Sequence, residues 1–444
     1  MTDYTVGSLP YELQNIALGA CFLGSGGGGK LKTSLKYIDD YFSNNKEFQN
    51  FQIADLITDL KDAQPNESGI VVAYMGAPQK MDEIKCPDAI CEGIKKIMTG
   101  KKVDHIDYII PVEIGPVSTI TACLTALKMK MTPNMQNLHV LNVDGAGRAV
   151  PTLDLITYTT NAGISVNPTI LCSENMAKSG EKTVYEQITL EITGDTDAGA
   201  ASKMESLARP VLNMAEFDQK AGLVMWYFDN VTKLKEDLAS VPGTLTFSLE
   251  QGRVIRSMQE GNGDFPNIEH PINDKSIYPT IKEMCRGKLI SATTSTAGGF
   301  DVGVITIEDE GDSARHYTII FQNESLILWD SNYADPLAMA PDLISYLIKD
   351  KQKQYVFTNG DIMLNGKLNE DLEGTEIIVY GIAAPEALKK SESNIMIKRK
   401  EILCNTIAGA KPNELLKHYM SVLNTLGYYG KYKPFWEEQT PSMR

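Results

Sequence analysis

A run of four glycines follows Ser25 and separates two helical segments of this 444-residue chain. The run consists of Gly26, Gly27, Gly28 and Gly29. Apolar residues recur at helical spacing before it, at 11–23, and after it, at 30–42. Consecutive glycines lose much conformational entropy on folding, so this run indicates positive φ angles or a very close main-chain approach. We expect its amide groups to hold a carboxylate, phosphate or carbonyl oxygen, with a tight turn between packed helices as the alternative.

The same loop comes close to a phosphate-binding P-loop. Gly24, Gly29 and Lys30 have the P-loop spacing, but Leu31 stands where that motif needs a serine or threonine for Mg²⁺. A P-loop also follows a strand, whereas the pattern before these glycines is helical. Nucleotide hydrolysis is therefore disfavoured.

Apolar runs of strand length alternate with helical segments in the first 175 residues. The runs lie at 70–74, 106–112 and 138–143, and the helical segments between them lie at 87–98 and 117–130. Strand–helix alternation is typical of a sheet of mostly parallel strands covered by helices. We therefore predict an α/β domain over residues 1–175.

The pattern changes in the remainder of the chain. A helix is expected at 198–209, ended by Pro210, and consecutive strand-like runs begin near residue 286. Those runs lie at 289–296, 302–308, 317–323 and 326–329. A last helix at 412–426 precedes an aromatic tail that we expect to dock on the body of the protein. Residues 176–444 are thus predicted to form a second, β-rich α+β domain.

The amino-acid composition limits the classes of partner that this chain can bind. The chain has 42 Lys and Arg against 57 Asp and Glu, a net charge of −15, and so lacks the overall basic field of a nucleic-acid-binding protein. No apolar run reaches the length that spans a membrane. Seven dispersed cysteines and the absence of a signal-peptide pattern favour a cytoplasmic protein with free thiols.

An acidic residue and an arginine follow the apolar run at 138–143. Asp144 and Arg148 flank two glycines there, and ligands of open α/β sheets bind beyond the carboxyl ends of strands. Asp144 is a candidate proton acceptor, and Arg148 is a candidate for gripping a carboxylate or stabilising developing negative charge. The alternative is that the two residues pair with each other across a turn.

Polar residues follow two other strand-like runs. Glu113 is a candidate general base or metal ligand, or else a carboxylate that binds main-chain donors at a helix start. Asn323 and Glu324 either reach a cleft between the domains or serve as turn residues. The five histidines are far apart in sequence, so a zinc site has no support. No cofactor is predicted, and a divalent metal stays open.

Together these motifs resemble the S-methyl-thiohydantoin desulfurase-like family, which is associated with hydantoin utilisation. The resemblance rests on the helix–GSGGGG–helix opening and on VEIGP, VDGAGRAVP, FQNESLILWD, APDLI and GIAAP, in that order. It implies a Rossmann-like domain followed by an α+β domain, and hydrolytic removal of a sulfur substituent from a hydantoin-like ring. Asn142, Thr152 and Ser173 depart from the pattern, because the family tends to carry acidic residues there.

The first hypothesis is a hydrolase acting on a C–S or C–N bond of a small cyclic amide or thiohydantoin-like substrate. Ser25 and the four glycines, with Asn323 and Glu324, would bind the substrate. Glu113 or Asp144 would activate water, and Arg148 would bind substrate or balance charge. Attack on a methylthio-bearing carbon needs at least two titratable groups.

Two alternatives remain. One is a diverged enzyme of the same fold acting on another heterocycle or an acyl substrate, motivated by the three altered positions. The other is a non-catalytic partner subunit of a hydantoinase-like assembly. Residues 301–380 carry fifteen acidic and five basic side chains, whereas 388–444 carry five acidic and ten basic, which would supply complementary faces. A small-molecule substrate and a homo-oligomer are the expected partners.

Overall fold

The computed structural model describes residues 2–76, 87–179, 182–193, 199–261, 277–278, 280–297, 299–350, 355–389 and 414–436. Within them the helices are α1 (Leu9–Leu23), α2 (Leu31–Asn44), α3 (Asp88–Lys101), α4 (Pro116–Lys130), α5 (Thr157–Thr160), α6 (Gly199–Val211), α7 (Thr244–Glu260) and α8 (Glu414–Thr425). The first eight strands are β1 (Ile57–Asp59), β2 (Gly69–Gly76), β3 (Tyr108–Pro111), β4 (His139–Asp144), β5 (Thr169–Ser179), β6 (Lys182–Leu190), β7 (Lys220–Phe228) and β8 (Val241–Pro242).

These eight strands form one mixed sheet. Its order is β1-β4-β3-β2-β7-β5-β6, with β8 paired to β4, and β1, β4, β3 and β2 run parallel. β2 and β3 are continuous apolar runs because both faces are buried, one under helices that include α1 and α4, and the other under α6 and buried loops. The carboxyl ends of β2 and β3 therefore meet at one edge of the sheet, and the segment that carries Glu113 begins there.

The later strands form a second sheet, which is antiparallel. They are β9 (Ile281–Ala297), β10 (Phe300–Asp309), β11 (His316–Gln322), β12 (Glu324–Asp330), β13 (Ala338–Met339), β14 (Leu343–Ile348), β15 (Met363–Leu364), β16 (Lys367–Leu368) and β17 (Glu376–Ile382). The sheet order is β13-β12-β11-β10-β9-β16-β15, and β17 joins β9 to β14. An α/β part followed by a β-rich α+β part confirms the predicted fold class.

The structure differs from the sequence pattern in two respects. α6 continues to Val211, one residue past Pro210, because a proline in the last turn disturbs only the end of a helix. Three strands that follow residue 175, β6, β7 and β8, belong to the first sheet, and β7 lies between β2 and β5.

The predicted docking of the aromatic tail is confirmed, since Tyr428, Tyr432 and Phe435 are buried against the rest of the chain. Most of the basic segment 388–444 lies outside the described residues. Among the helices that the structure describes, none combines the length and apolar character needed to cross a membrane.

Candidate functional site

The glycine loop begins directly after α1, as predicted, and its first half is bound by the second sheet. Ser25 is fully buried, and its hydroxyl accepts a hydrogen bond from the Ile344 N–H at 2.9 Å. The same hydroxyl lies 3.2 Å from the carbonyl oxygens of Ser325 and Ile344. The main-chain N–H of Asn359 donates to the carbonyl of Gly26 at 2.7 Å. Ser25 and Gly26 thus join the loop to the strands of the second sheet.

The second half of the loop needs glycine because other atoms approach it closely. A Cβ on Gly27 would lie 2.1 Å from Oε1 of Glu324, and a Cβ on Gly28 would lie 2.4 Å from the Cα of Gly115. The N–H of Gly28 also donates to the Glu324 carboxylate. The expected close approach of main chain is confirmed, and the carboxylate that the Gly28 amide holds belongs to the protein itself.

The helix that follows the loop is capped by a residue of the second half of the chain. The N–H of Leu31, the first residue of α2, donates to Oδ2 of Asp361 at 2.9 Å. The same carboxylate oxygen accepts from the N–H of Thr358 at 2.9 Å. Asp361 therefore binds an N–H group at the start of the helix that follows the glycine loop.

A cleft opens beside the glycines, with about 610 Å³ of empty space including the solvent at its mouth. Its lining includes the end of β2, residues 150–153 and part of α6. Six residues from the glycine loop, the α4 start and the β12 start also line it: Gly28, Gly29, Glu113, Ser118, Asn323 and Glu324. The loop and two of the predicted carboxylates therefore share one pocket, although more than 80 residues separate Gly29 from Glu113 and more than 200 separate Glu113 from Glu324.

Glu113 is held from two sides at the pocket wall. Its Oε1 accepts from the Ser118 hydroxyl and its Oε2 from the Val150 N–H, both at 2.7 Å. Burial raises the pKa of Glu113 to about 7, and these two hydrogen bonds oppose the rise. A carboxyl group with this pKa exchanges protons readily near neutral pH.

Glu324, the first residue of β12, is 3% exposed and completes a carboxyl pair. Burial, and then the negative charge of Glu113, raise the pKa of Glu324 well above its usual value, whereas Arg148 acts in the opposite direction. Two desolvated carboxyl groups that repel each other do not both ionise at neutral pH. The pair therefore shares one proton near neutral pH, so one carboxyl group is a candidate acid and the other a candidate base.

Asp144 and Arg148 lie behind the pocket wall and do not line it. Oδ1 of Asp144 accepts from the N–H groups of Ala146 and Gly147, both at 2.6 Å, and burial raises the pKa of Asp144 to about 7. The two residues do not bridge each other in the way the turn alternative suggested. Asp144 instead shapes the turn that leads to Arg148.

Arg148 is fully buried and binds main-chain carbonyls of the second half of the chain. Its guanidinium donates to Pro341 at 3.0 Å, Asp342 at 2.8 Å and Ser325 at 3.1 Å. Its positive charge lowers the pKa of both Glu113 and Glu324. Arg148 thus joins the two halves and acts on the carboxyl pair through its electric field.

Several pocket residues were not predicted from the sequence. Tyr74, at the end of β2, donates to Oε1 of Glu174 at 2.5 Å. Glu205 and Arg209 line the pocket from α6, and their i, i+4 spacing on one helix face was the available signal. Ser118, five residues after Glu113, was also not predicted, because its hydrogen bond to Glu113 depends on where α4 begins.

Of the three altered positions, only Thr152 lines the pocket. Asn142 donates to Asp59 and Thr246, both at 2.7 Å, and Ser173 donates to the carbonyl of Glu216. Within the described part of the chain, no three His, Cys, Asp or Glu side chains are grouped so that they could hold a metal ion. The pocket therefore keeps its Glu113–Glu324 pair despite the substitutions.

The chain is similar to a solved protein over nearly its full length. The crystal structure of a protein from Chromobacterium violaceum matches with a TM-score of 0.71 and 26% sequence identity, covering 96% of this chain and 98% of that one. No curated protein matches the chain. The family model described as "S-Me-THD-like, N-terminal domain" matches residues 11–180, and "S-Me-THD-like, C-terminal domain" matches residues 199–397. Because these two matches cover most of its length, the chain belongs to the S-Me-THD-like family.

Proposed function

We propose that this protein is a hydrolase that cleaves a C–S or C–N bond of a small cyclic amide, with a methylthio-substituted hydantoin ring as the first substrate to test. The observation that carries the proposal is the buried Glu113–Glu324 pair at the wall of the pocket. The two groups differ in proton affinity, so one serves as base and the other as acid.

The first step adds water to the ring carbon that bears the methylthio group. Glu113 takes one proton from the water molecule as its oxygen bonds to that carbon. The electron pair of the ring C=N bond moves onto nitrogen, which receives the proton of Glu324. The product of this step is a tetrahedral carbon that carries hydroxyl, methylthio and nitrogen substituents.

The second step expels the thiol. The C–S bond breaks with its electron pair on sulfur, and the proton held by Glu113 passes to the methanethiolate. The hydroxyl proton passes to Glu324, which leaves a ring carbonyl. The products are methanethiol and the hydantoin, and both carboxyl groups return to their starting state.

Neighbouring groups support these steps without taking part in the proton transfers. The Ser118 hydroxyl and the Val150 amide orient Glu113, and the Gly28 amide orients Glu324. Gly28 and Gly29 present no side chains to the pocket, so a planar ring can approach the carboxyl pair closely. Arg148, which lies behind the pocket wall, lowers the pKa of both carboxyl groups and so favours their ionised forms.

The second candidate is a diverged enzyme of the same fold that acts on another heterocycle or acyl group. Thr152 is the observation that favours it, because this pocket-lining residue stands where the family tends to carry an acidic side chain. A lost carboxylate changes which ring substituents the pocket accepts, while the Glu113–Glu324 pair still performs the proton transfers.

The test is product analysis in water enriched in ¹⁸O. The wild-type protein is incubated with S-methyl-thiohydantoin, thiol release is followed with a thiol reagent, and the ring is examined by mass spectrometry. We expect one methanethiol per ring and one ¹⁸O in the hydantoin. Release of thiol without ¹⁸O would contradict hydrolysis. No release from this ring, with turnover of another cyclic amide or acyl compound, would favour the second candidate.

A further inference from the structure

Arg209, in the last turn of α6, is fixed on four sides where it lines the pocket. Its Nε donates to Oε1 of Glu205 at 2.5 Å, its Nη1 to the carbonyl of Gly299 at 2.8 Å, and its Nη2 to the carbonyl of Pro151 at 3.1 Å. Its guanidinium carbon lies 4.0 Å from the centre of the Phe300 ring. These contacts come from α6, from the pocket wall and from the β9–β10 hairpin, so the guanidinium plane is held in place before any ligand binds.

The guanidinium has more donors than these contacts use. An arginine carries five N–H donors, and the three hydrogen bonds above leave one on each Nη atom. Glu205 already balances the positive charge. The remaining donors therefore suit an acceptor oxygen of a ligand in the pocket.

Arg209 and Glu113 line the same pocket and are bound by consecutive residues of its wall. Val150 and Pro151 are consecutive residues, and Val150 binds Glu113 whereas Pro151 binds Arg209. A chain advances at most about 3.6 Å per residue, so the two side chains approach the pocket from neighbouring points of one wall. A substrate whose reacting carbon lies at Glu113 and which extends along this wall can thus present a second group to Arg209.

Consecutive residues also connect Arg209 to Glu324. Phe300 stacks on Arg209, and the next residue, Asp301, donates its N–H to Oδ1 of Asn323 at 2.8 Å. Asn323 directly precedes Glu324. The contact of Phe300 with Arg209 and the acid of the carboxyl pair are therefore linked through two short segments and the hydrogen bond that joins them.

We propose that Arg209 is the specificity-determining residue of this pocket, and that its two remaining donors bind an acceptor oxygen of the substrate, either a ring carbonyl or the carboxylate of a ring substituent. This inference rests on the proposed function for the choice of ring, and it adds which group of the ring is recognised. A ligand without that oxygen leaves desolvated N–H donors unpaired, and such a mismatch discriminates strongly.

The test measures binding and does not require turnover. The affinities of hydantoin, of 2-imidazolidinone and of hydantoin with a 5-carboxymethyl group are compared by calorimetry. 2-Imidazolidinone is the same ring without the second carbonyl. We expect wild-type protein to bind hydantoin at least about tenfold more tightly than 2-imidazolidinone if a ring carbonyl is recognised. If a carboxylate is recognised, the carboxymethyl compound binds at least about tenfold more tightly than hydantoin.

Variants identify the residue responsible. Arg209→Met is expected to abolish the preference, and Arg209→Lys, which keeps the charge but loses the planar fork, is expected to reduce it. Arg315→Met is the matched control, because Arg315 also pairs with a carboxylate, Asp330, and lies over a ring, Tyr317, but does not line the pocket. If Arg209→Met fails to fold, the preference among the three compounds measured with Arg209→Lys tests the inference.

Three results would overturn the inference: an unchanged preference in the Arg209 variants, an equal loss of affinity for all three compounds, or no binding of any of them to wild-type protein. A preference that depends on Arg209, in a protein that releases no thiol, would reject the proposed hydrolysis and leave this inference standing.

Discussion

The Cα of Gly27 faces the carboxylate of Glu324 so closely that an added methyl group would lie 2.1 Å from Oε1. The contact joins the glycine loop of the first half of the chain to the first residue of β12. Glu324, the acid of the proposed pair, therefore lies against a residue that has no side chain. A substitution at Gly27 would displace the Glu324 carboxylate.

Gly27→Ala is therefore expected to displace Glu324 and to lower turnover by about 100-fold, the usual scale for a misplaced proton donor. Gly28→Ala is the comparison, because its methyl group would meet the main chain at Gly115, which cannot rotate away. We expect both variants to unfold at a lower temperature than the wild type, and Gly28→Ala to lose more, because the buried Glu324 side chain can rotate whereas the main chain at Gly115 cannot. Full activity in Gly27→Ala would contradict the role of Glu324.

Ser118→Ala is predicted to shift the pH dependence of turnover. The Ser118 hydroxyl donates to Glu113 and so lowers its pKa, which burial raises to about 7. Activity requires ionised Glu113 and therefore rises as pH increases through this value. Without the hydroxyl the pKa rises further, so the acidic limb of the profile moves to higher pH while activity at alkaline pH is largely retained.

The matched control for this shift is Ser34→Ala. The Ser34 hydroxyl is also buried beside α4, but it donates to the carbonyl of Pro116 at 2.8 Å. Its removal should leave the acidic limb unmoved. Equal shifts in the two variants would show that Glu113 does not set the limb.

Asp144→Asn is predicted to change how stability depends on pH. Burial raises the pKa of Asp144 from 3.8 to about 7, so between these values the folded protein holds a proton that the unfolded chain has lost. Its contribution is fully present below pH 3.8 and is lost as pH rises toward about 7. An asparagine stays neutral and keeps an oxygen that accepts from Ala146 and Gly147.

The free energy of unfolding of Asp144→Asn, relative to wild type, should therefore rise between pH 4 and pH 8 in denaturant titrations. A difference that stays constant with pH would mean that Asp144 does not titrate in this window. Because Asp144 lies outside the pocket, we also expect the variant to keep most of its activity.

Arg148→Met is expected to destabilise the protein strongly. It removes donors from the buried carbonyls of Pro341 and Asp342, and each carbonyl left unpaired costs about 1–3 kcal/mol. Denaturant unfolding measures the loss. Arg286→Met is the comparison, because Arg286 pairs with the partly exposed carboxylates of Glu283 and Glu376, and its removal should cost less. A smaller loss for Arg148→Met than for Arg286→Met would contradict the joining role of Arg148.

Much of the fold followed from local patterns, because apolar spacing is a property of short segments. β2 and α4 lie within a few residues of their predicted ranges. α7 was not predicted, since the face it buries includes Thr244, Ser248 and Gly252 rather than a continuous apolar stripe. That face is small because α7 lies close to α1, where a Cβ on Gly252 would be 1.6 Å from the carbonyl oxygen of Asn15.

The site could be predicted only where residues follow strands. Glu113 and Asn323 were selected as residues after strand-like runs, and both line the pocket. Asn323 also fulfils the turn alternative, since its φ is 58° between β11 and β12. Arg148 and Arg209 show what the sequence does not reveal, because which arginine lines the pocket depends on contacts with residues at least 90 positions away.

In the proposed reaction, Glu113 and Glu324 together perform the proton transfers. The most direct test is the rate of methanethiol release by Glu113→Gln and Glu324→Gln, with Glu12→Gln as a buried glutamate outside the pocket. We predict that each pocket variant folds and loses at least about 100-fold in rate, while Glu12→Gln keeps the wild-type rate. Wild-type rates in both pocket variants would contradict the account.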